Sequence, residues 1–355
     1  MISYNFIQIN GVGYNINNLD SLPFEGEQWQ MSIKLFLKEW FNENDFIEVK
    51  TSGSTGTPKK IQLKKLHMVN SACNTIEFFN INAHDNLLLC LPVSFIAGKM
   101  MLLRAMVARC NIIAVPPSAR PFEGLDIPIS FAALSPLQLS QSLDDIKKLS
   151  IKTIIVGGAP VSLQLEESIQ QLHTNVYETF GMTETCSHVA LRCLSGSIKR
   201  EYFTALSSIH FAVDKRNCLV IDAPMVCSQT IVTNDIVQLL DSNSFKWHGR
   251  ADNVVNSGGI KIFPEQIERK IASIPENRRF FVKSQLDDML GQKLILVIEG
   301  DEFDTYTKEL LSAQLRKNLK KHEIPKTIYF VSKFMVSGSG KILSYLPITW
   351  GQNSP

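Results

Sequence analysis

The sequence predicts an α/β protein: a large N-terminal layered α/β domain carrying a small β subdomain, followed by a small α+β domain. Three observations predict it. Short apolar runs alternate with amphipathic stretches across residues 45–185, the pattern of a layered fold with a substantially parallel sheet. Across residues 209–247 the pattern changes to short strand-like runs divided by turns. After Arg250 a new series of apolar runs and helical stripes begins.

The elements follow in order. Residues 61–63 alternate like a strand, and Leu66, Val69, Cys73 and Ile76 then recur at helical spacing. Residues 86–93, 111–115, 129–134, 153–156 and 175–177 read as strands, with Leu165, Ile169 and Leu172 marking a helix between the last two. In the C-terminal part, Pro264 suits a first helical position. Ile267, Ile271 and Ile274 continue it as one stripe. Strands follow near Phe280 and Leu294, then a helix carrying Leu311, Leu315 and Leu319, then a strand at 327–331. The boundary falls between Gly249 and Asp252, giving domains at 1–249 and 250–355.

Composition narrows the function classes. At 355 residues, 45% apolar and 20% charged, the chain has the make-up of a globular enzyme with a large core. A formal net charge of +2 offers no attraction for nucleic acid or an anionic membrane. The seven cysteines include no Cys-x-x-Cys and lie mostly in apolar stretches. They read as buried thiols in a reducing compartment, not as a disulfide frame or zinc site. No apolar stretch reaches the roughly 18–20 residues that span a bilayer. Residues 1–10 lack the basic start and apolar core of a secretory signal. The expectation is a cytoplasmic protein without a membrane span.

The run Thr51-Ser52-Gly53-Ser54-Thr55-Gly56-Thr57-Pro58-Lys59 interleaves hydroxyls with two glycines and ends on a lysine. Glycines let backbone N–H groups turn toward an anion, hydroxyls add donors and the lysine adds charge, which together make a phosphate cradle. It is not a Walker loop, because the four-residue gap before Gly-Lys-Ser/Thr is missing. Further along come Tyr177-Glu178-Thr179-Phe180-Gly181-Met182-Thr183-Glu184, then Gly249-Arg250-Ala251-Asp252 with Ser257-Gly258-Gly259, then Ser337-Gly338-Ser339-Gly340-Lys341. In this order the four segments resemble the acyl-adenylate-forming superfamily of acyl- and aryl-CoA ligases, peptide-synthetase adenylation domains and luciferases.

The resemblance implies a two-step reaction with ATP, Mg²⁺ and coenzyme A. A carboxylate attacks the α-phosphorus of ATP and expels pyrophosphate, and a thiol then displaces AMP from the acyl-adenylate. It implies that Thr51, Ser52, Gly53, Ser54, Thr55 and Gly56 hold the β- and γ-phosphates, helped by Lys59. Thr183 would bind the α-phosphate and Glu184 the Mg²⁺. Adenine would lie between Gly157-Gly158-Ala159-Pro160 and the aromatic of the next motif, Tyr177 or Phe180, close to Gly181. Asp235 would take the ribose hydroxyls, with Asn234 standing where the family has a glycine and taking its left-handed turn. Arg250 would contact ribose or phosphate. Asp252 would be the hinge of a mobile C-terminal domain, and Ser257, Gly258 and Gly259 would line the pantetheine tunnel. Lys341 would bridge the carboxylate and the α-phosphate.

The segment from Leu91 to Gly98 resembles a family motif that often carries histidine where Phe95 stands, so Phe95 is expected to wall the acyl pocket. Lys99 and Arg104 put two cations on an otherwise apolar stretch, and His188 and Arg192 follow the Thr183-Glu184 pair. Buried cations make sense if the acid carries a second carboxylate that needs a partner. Lys99, His188 and Arg192 are therefore expected in the acyl pocket. With the run Gly-Met-Thr-Glu-Thr-Cys-Ser-His, they make the chain resemble the short bacterial 2-succinylbenzoate–CoA ligases of menaquinone synthesis. A ligase for another acid, or an enzyme loading a carrier protein, would carry the same motifs, whereas a non-catalytic nucleotide-binding relative would have no reason to keep Lys341, Glu184 and the phosphate loop together. The family has a longer segment ahead of its phosphate loop than residues 1–50 supply, and the resemblance also admits a homodimer.

Overall fold

A computed structural model of the chain describes residues 6–22, 24, 26–50, 60–196, 199–271, 274, 278–335 and 342. It divides into two compact units, the first ending at Trp247 and the second starting at His248.

The first unit opens with β1 (Phe6–Ile9), β2 (Val12–Asn15), α1 (Gln28–Trp40), β3 (Phe46–Lys50), β4 (Lys60–Lys64) and α2 (Lys65–Phe79). There follow β5 (Asn86–Leu89), α3 (Ile96–Ala108), β6 (Asn111–Ala114), β7 (Ile129–Leu134), α4 (Pro136–Gln141) and α5 (Leu143–Lys148). Next come β8 (Ile151–Val156), α6 (Leu163–Ile169), β9 (Asn175–Gly181), β10 (His188–Cys193) and β11 (Phe203–Ala205). The unit closes with β12 (His210–Val213), β13 (Cys218–Asp222), β14 (Ile231–Asp241) and β15 (Ser244–Arg250), the last crossing the division.

One 13-stranded sheet runs β12-β13-β14-β15-β11-β10-β9-β8-β7-β5-β6-β1-β2. Its middle, from β9 to β1, is parallel throughout. Parallel strands need crossover helices, which cover both faces. Leu87 and Leu89 of β5 face one core with α1, α2 and α3, while Leu88 faces another with Leu139, Ile146 and Ile169 of α4, α5 and α6. That period of two explains why these strands read as unbroken apolar runs. The strands of 209–247 extend the same sheet through β11 and β15. β3 and β4 form a separate antiparallel pair, from Phe46↔Lys64 to Lys50↔Lys60.

The second unit contains β16 (Val255–Ser257), β17 (Ile260–Ile262), α7 (Pro264–Lys270), β18 (Phe280–Asp287), β19 (Gly291–Glu299), α8 (Thr305–Asn318) and β20 (Thr327–Val331). Its sheet runs β17-β16-β19-β18, with β20 parallel to β19. Ile267 of α7, Ile271 directly after it, and Leu311 and Leu315 of α8 share a core with Val282, Leu294, Leu296 and Ile298. Pro264 starts α7 as the first-turn rule expects. None of the seven cysteines forms a disulfide; six are buried and Cys73 on α2 is exposed. Among the described residues no helix is long and apolar enough to cross a membrane.

Candidate active site

Ligands of open parallel sheets gather at the C-terminal ends of the strands. There, after β8, the chain turns through Gly157, Gly158, Ala159 and Pro160, the last three exposed. Gly157 N–H donates to Leu134 O at 3.0 Å, and Thr179 Oγ1 on β9 donates to Val156 O at 3.2 Å. A Cβ at Gly157 would lie 2.3 Å from Thr179 Oγ1. The missing side chain is thus what lets the turn press against β9. Tyr177 packs edge-on against Phe78 and Phe79, with centroids 5.9 and 5.2 Å apart. Phe180 packs edge-on against Phe203 and Phe245, at 5.8 and 5.1 Å. Both rings are half-buried, so each keeps an accessible part while its plane is set by neighbours.

Beyond β9, Thr183–Thr185 form a single 3₁₀ turn. A Cβ at Gly181 would lie 2.3 Å from Ser187 O, so the loop closes on its own backbone. Thr185 Oγ1 accepts from Met182 N–H at 3.1 Å and donates to Ser187 O at 2.7 Å. This closed loop leaves Thr183 half-buried and Glu184 exposed, and no salt bridge engages Glu184 among the described residues. No cluster of three or more His, Cys, Asp or Glu among the described residues would hold a metal alone. A single exposed carboxylate fits Mg²⁺, which takes one or two carboxylates and completes its shell with phosphate oxygens and water.

Just behind that loop lies a buried cationic cluster. α3 is apolar almost all round and buried from Gly98 to Met106, as such helices are. Arg104 goes inside with it and is 1% exposed. Its Nη2 donates to Ser187 Oγ at 2.7 Å, its Nε has no partner, and it forms no ion pair among the described residues. Burial pushes its guanidinium down to about 9. The buried His188 ring has Nε2 3.2 Å from Thr75 Oγ1 and Nδ1 3.3 Å from Ser187 Oγ. Burial first, and the Arg104 charge second, hold His188 well below its ordinary value, so the imidazole is neutral. The result is a positive charge without a counter-charge, joined through Ser187 to the loop that carries Thr183 and Glu184. Arg104 stood out in the sequence only as a cation on an apolar stretch, and Thr75, the partner of His188, had no signal there.

Two of the expected pocket cations meet carboxylates of the protein itself. Lys99 Nζ lies 3.4 Å from Glu39 Oε2 on α1 and 4.7 Å above the Phe36 ring; burial lowers its pKa and Glu39 opposes the shift. Arg192 Nε donates to Glu178 Oε2 at 2.7 Å and its Nη2 to Glu166 Oε1 at 2.8 Å. Burial works against its charge, yet the two carboxylates outweigh that and hold it above its ordinary value. Both charges are answered inside the protein. Phe95 caps the start of α3, half-buried.

Thr233-Asn234-Asp235 lies within the extended strand β14, and Asn234 is not among the left-handed residues. The expected left-handed turn is therefore corrected: the segment is extended, and the pairing of β14 with β13 shifts register across it, between Val232 and Ile236. Asp235 is buried and its Oδ1 accepts from Trp247 Nε1 at 2.9 Å. A carboxylate has about four acceptor sites, so one indole leaves room for a diol. Trp247 was not singled out from the sequence, where nothing marks it as a partner for a residue one strand away.

In the second unit, Arg250 Nη2 lies 3.4 Å from Asp252 Oδ2. Arg250 N–H and Asn253 Nδ2 donate to Glu265 Oε1 at 3.3 and 2.6 Å, and Gln266 Nε2 donates to His248 O at 3.0 Å. Residues 248–253 are thus held on the first turn of α7. Ser257 ends β16 opposite Ile260, and Gly258 and Gly259 make the two-residue turn between them with φ of +57° and +82°. A hairpin turn of that length favours positive φ at both positions, which accounts for both glycines without a ligand. Thr51, Ser52, Gly53, Ser54, Thr55, Gly56, Lys59 and Lys341 lie outside the described residues.

Residues 47–226 match the family described as AMP-binding enzyme. The probable 2-succinylbenzoate–CoA ligase of Mycobacterium tuberculosis is 26% identical over 336 residues, 86% of this chain and 84% of that one. The 2-succinylbenzoate–CoA ligase of Staphylococcus aureus is 25% identical over 365 residues, 94% and 71% of the two chains. Among solved structures, an acyl-CoA synthetase (AMP-forming)/AMP-acid ligase II-like protein from Dyadobacter fermentans is 35% identical, covers 93% of this chain and 96% of its own, and superposes with a TM-score of 0.61. The O-succinylbenzoate coenzyme A synthetase of Bacillus subtilis in complex with ATP and magnesium ion shares the fold at a TM-score of 0.71, with 20% identity over 83% and 68% of the chains.

Proposed function

This chain belongs to the AMP-binding enzyme family and is an AMP-forming acid–thiol ligase; we propose that its acid is 2-succinylbenzoate and its thiol coenzyme A, which places it in menaquinone biosynthesis. The observation that carries the choice of acid is Arg104. A guanidinium buried, among the described residues, with one hydroxyl and no carboxylate is unstable as it stands, and a second carboxylate on the substrate supplies the missing counter-charge. 2-Succinylbenzoate has two carboxylates, one to be activated and one to be held. The names of the relatives from Mycobacterium tuberculosis and Staphylococcus aureus agree with this acid.

In the proposed reaction an oxygen of the acid's succinyl carboxylate attacks the α-phosphorus of ATP, and the bond to the β-phosphate oxygen breaks as pyrophosphate leaves. The CoA sulfur, losing its proton, then attacks the acyl carbon, and AMP leaves. Residues 51–56 and Lys59 hold the polyphosphate, Thr183 the α-phosphate, and Asp235 the ribose. Gly157–Pro160 receive the base beside Tyr177 or Phe180, and Lys341 bridges the two reacting anions. Mg²⁺ held at Glu184 supplies charge neutralisation on the phosphate oxygens. Asp252 serves as the hinge, and Arg250 reaches the nucleotide. Ser257-Gly258-Gly259 borders the thiol's path. Need of ATP and CoA, with six buried cysteines outside any disulfide, agrees with a cytoplasmic location.

The test is thioester formation with ATP and Mg²⁺ over 2-succinylbenzoate, benzoate, coumarate and a medium-chain fatty acid, for wild type and Arg104→Met. Turnover is expected with 2-succinylbenzoate. Its KM should rise about 10- to 100-fold in Arg104→Met, the weight of a hydrogen bond to a charged group, while a monocarboxylate is used no worse. Preference for a monocarboxylate, or indifference to Arg104, would discard 2-succinylbenzoate and leave the ligase chemistry standing.

A further inference from the structure

Glu178, Arg192 and Glu166 are ionised groups almost removed from water, with side chains 10%, 3% and 3% exposed. Lys199 reaches Glu166 Oε2 from the surface at 3.4 Å, so the set carries no net charge. Buried ion pairs are weak sources of stability, because apolar side chains of similar volume serve as well or better. Their geometry gives these charges another use. Arg192 stands on β10, Glu178 on β9 and Glu166 on α6, and the guanidinium joins all three elements. The second oxygen of Glu178, Oε1, accepts from Val161 N–H at 3.1 Å. Val161 is the residue directly after Gly157-Gly158-Ala159-Pro160, and α6, which bears Glu166, begins two residues later.

The turn itself has little to define its position. It contains two glycines, one at φ +89°, and three of its four residues are exposed. Glycine leaves such a segment free to move, so its ends set where its backbone lies. The near end is tied by Gly157 N–H to Leu134 O. The far end is tied by Val161 N–H to Glu178, whose rotamer Arg192 holds.

We propose that the Glu178–Arg192–Glu166 cluster is a positioning device for the nucleotide, setting through Val161 where the Gly158–Pro160 backbone meets the purine base. It touches no substrate. The inference rests on the nucleotide site proposed above, and it turns Arg192 from an acid-pocket residue into a determinant of ATP binding.

The test compares Glu178→Leu, which removes the acceptor for Val161, with Glu178→Gln, which keeps an oxygen there. The pair variant Glu178→Leu/Arg192→Leu, which leaves Glu166 with Lys199, guards against a fold broken by unpaired charge. KM for ATP, KM for the acid, the preference for ATP over GTP and the melting temperature are measured for each. Glu178→Leu and the pair variant should raise KM for ATP about tenfold, the weight of one hydrogen bond, and erode the preference for ATP. KM for the acid should stay within about twofold, and Glu178→Gln should restore most of the loss. A lowered melting temperature with ATP KM and base preference unchanged would overturn the proposal and leave a structural cluster. Wild type without ATP-dependent turnover would instead sink the proposed function, and the positioning role with it.

Discussion

At the scale of single residues, three cations on apolar elements met different fates. Lys99 found Glu39 and Arg192 found two glutamates, while Arg104 found one hydroxyl. An uncompensated buried charge costs about 3–5 kcal/mol, and among the described residues no carboxylate offsets that cost at Arg104. His188 beside it has a consequence for pH. Its folded pKa lies well below 6.5, so below the ordinary value the unfolded chain takes up a proton that the folded one refuses. Stability is complete above that value and falls as pH drops through it. Urea unfolding of wild type from about pH 7 to about pH 5 should show this loss, and His188→Asn should show less of it. Equal slopes in the two proteins would mean that the imidazole is not held neutral.

At the scale of elements, backbone contacts permitted by glycine shape the candidate site. Gly157 meets a side-chain oxygen of Thr179, whereas Gly181 meets the backbone of Ser187 and His188. The first obstacle can be removed and the second cannot. Gly157→Ala should lower stability by about 1–3 kcal/mol, the usual cost of overpacking, and raise KM for ATP. Adding Thr179→Ala should recover much of both, because it takes away the oxygen 2.3 Å from the new Cβ. Failure to recover would show that Thr179 is not what forbids a side chain there. Melting curves and ATP titrations of the two variants decide it.

At the scale of the whole molecule, the two units respond to pH in opposite directions. Glu268 on α7 accepts from Val282 N–H at 2.7 Å, but burial raises its pKa to about 7. The folded second unit keeps a proton that the unfolded chain releases near 4.5, so its contribution is complete below that pH and is lost as pH rises to about 7. Over the same range the first unit gains through His188. Hydrogen exchange of β9–β10 against β18–β19, corrected for intrinsic rates, should show the two diverging. Glu268→Gln should abolish the change in β18–β19, and parallel behaviour of the two units would refute the account. Much of this architecture was legible in the chain. Short unbroken apolar runs marked the parallel strands and Pro264 marked α7, because both depend on neighbours along the sequence. The extended Thr233–Asp235 segment was not legible, since it lies where β14 shifts register against β13, a partner that only folding brings beside it. Motif order likewise announced the family from the chain alone. Which cation stayed uncompensated was settled only by folding: Lys99, Arg104 and Arg192 look alike in sequence, and the carboxylates that neutralise two of them arrive from distant segments, where the loss of water makes partnership decisive.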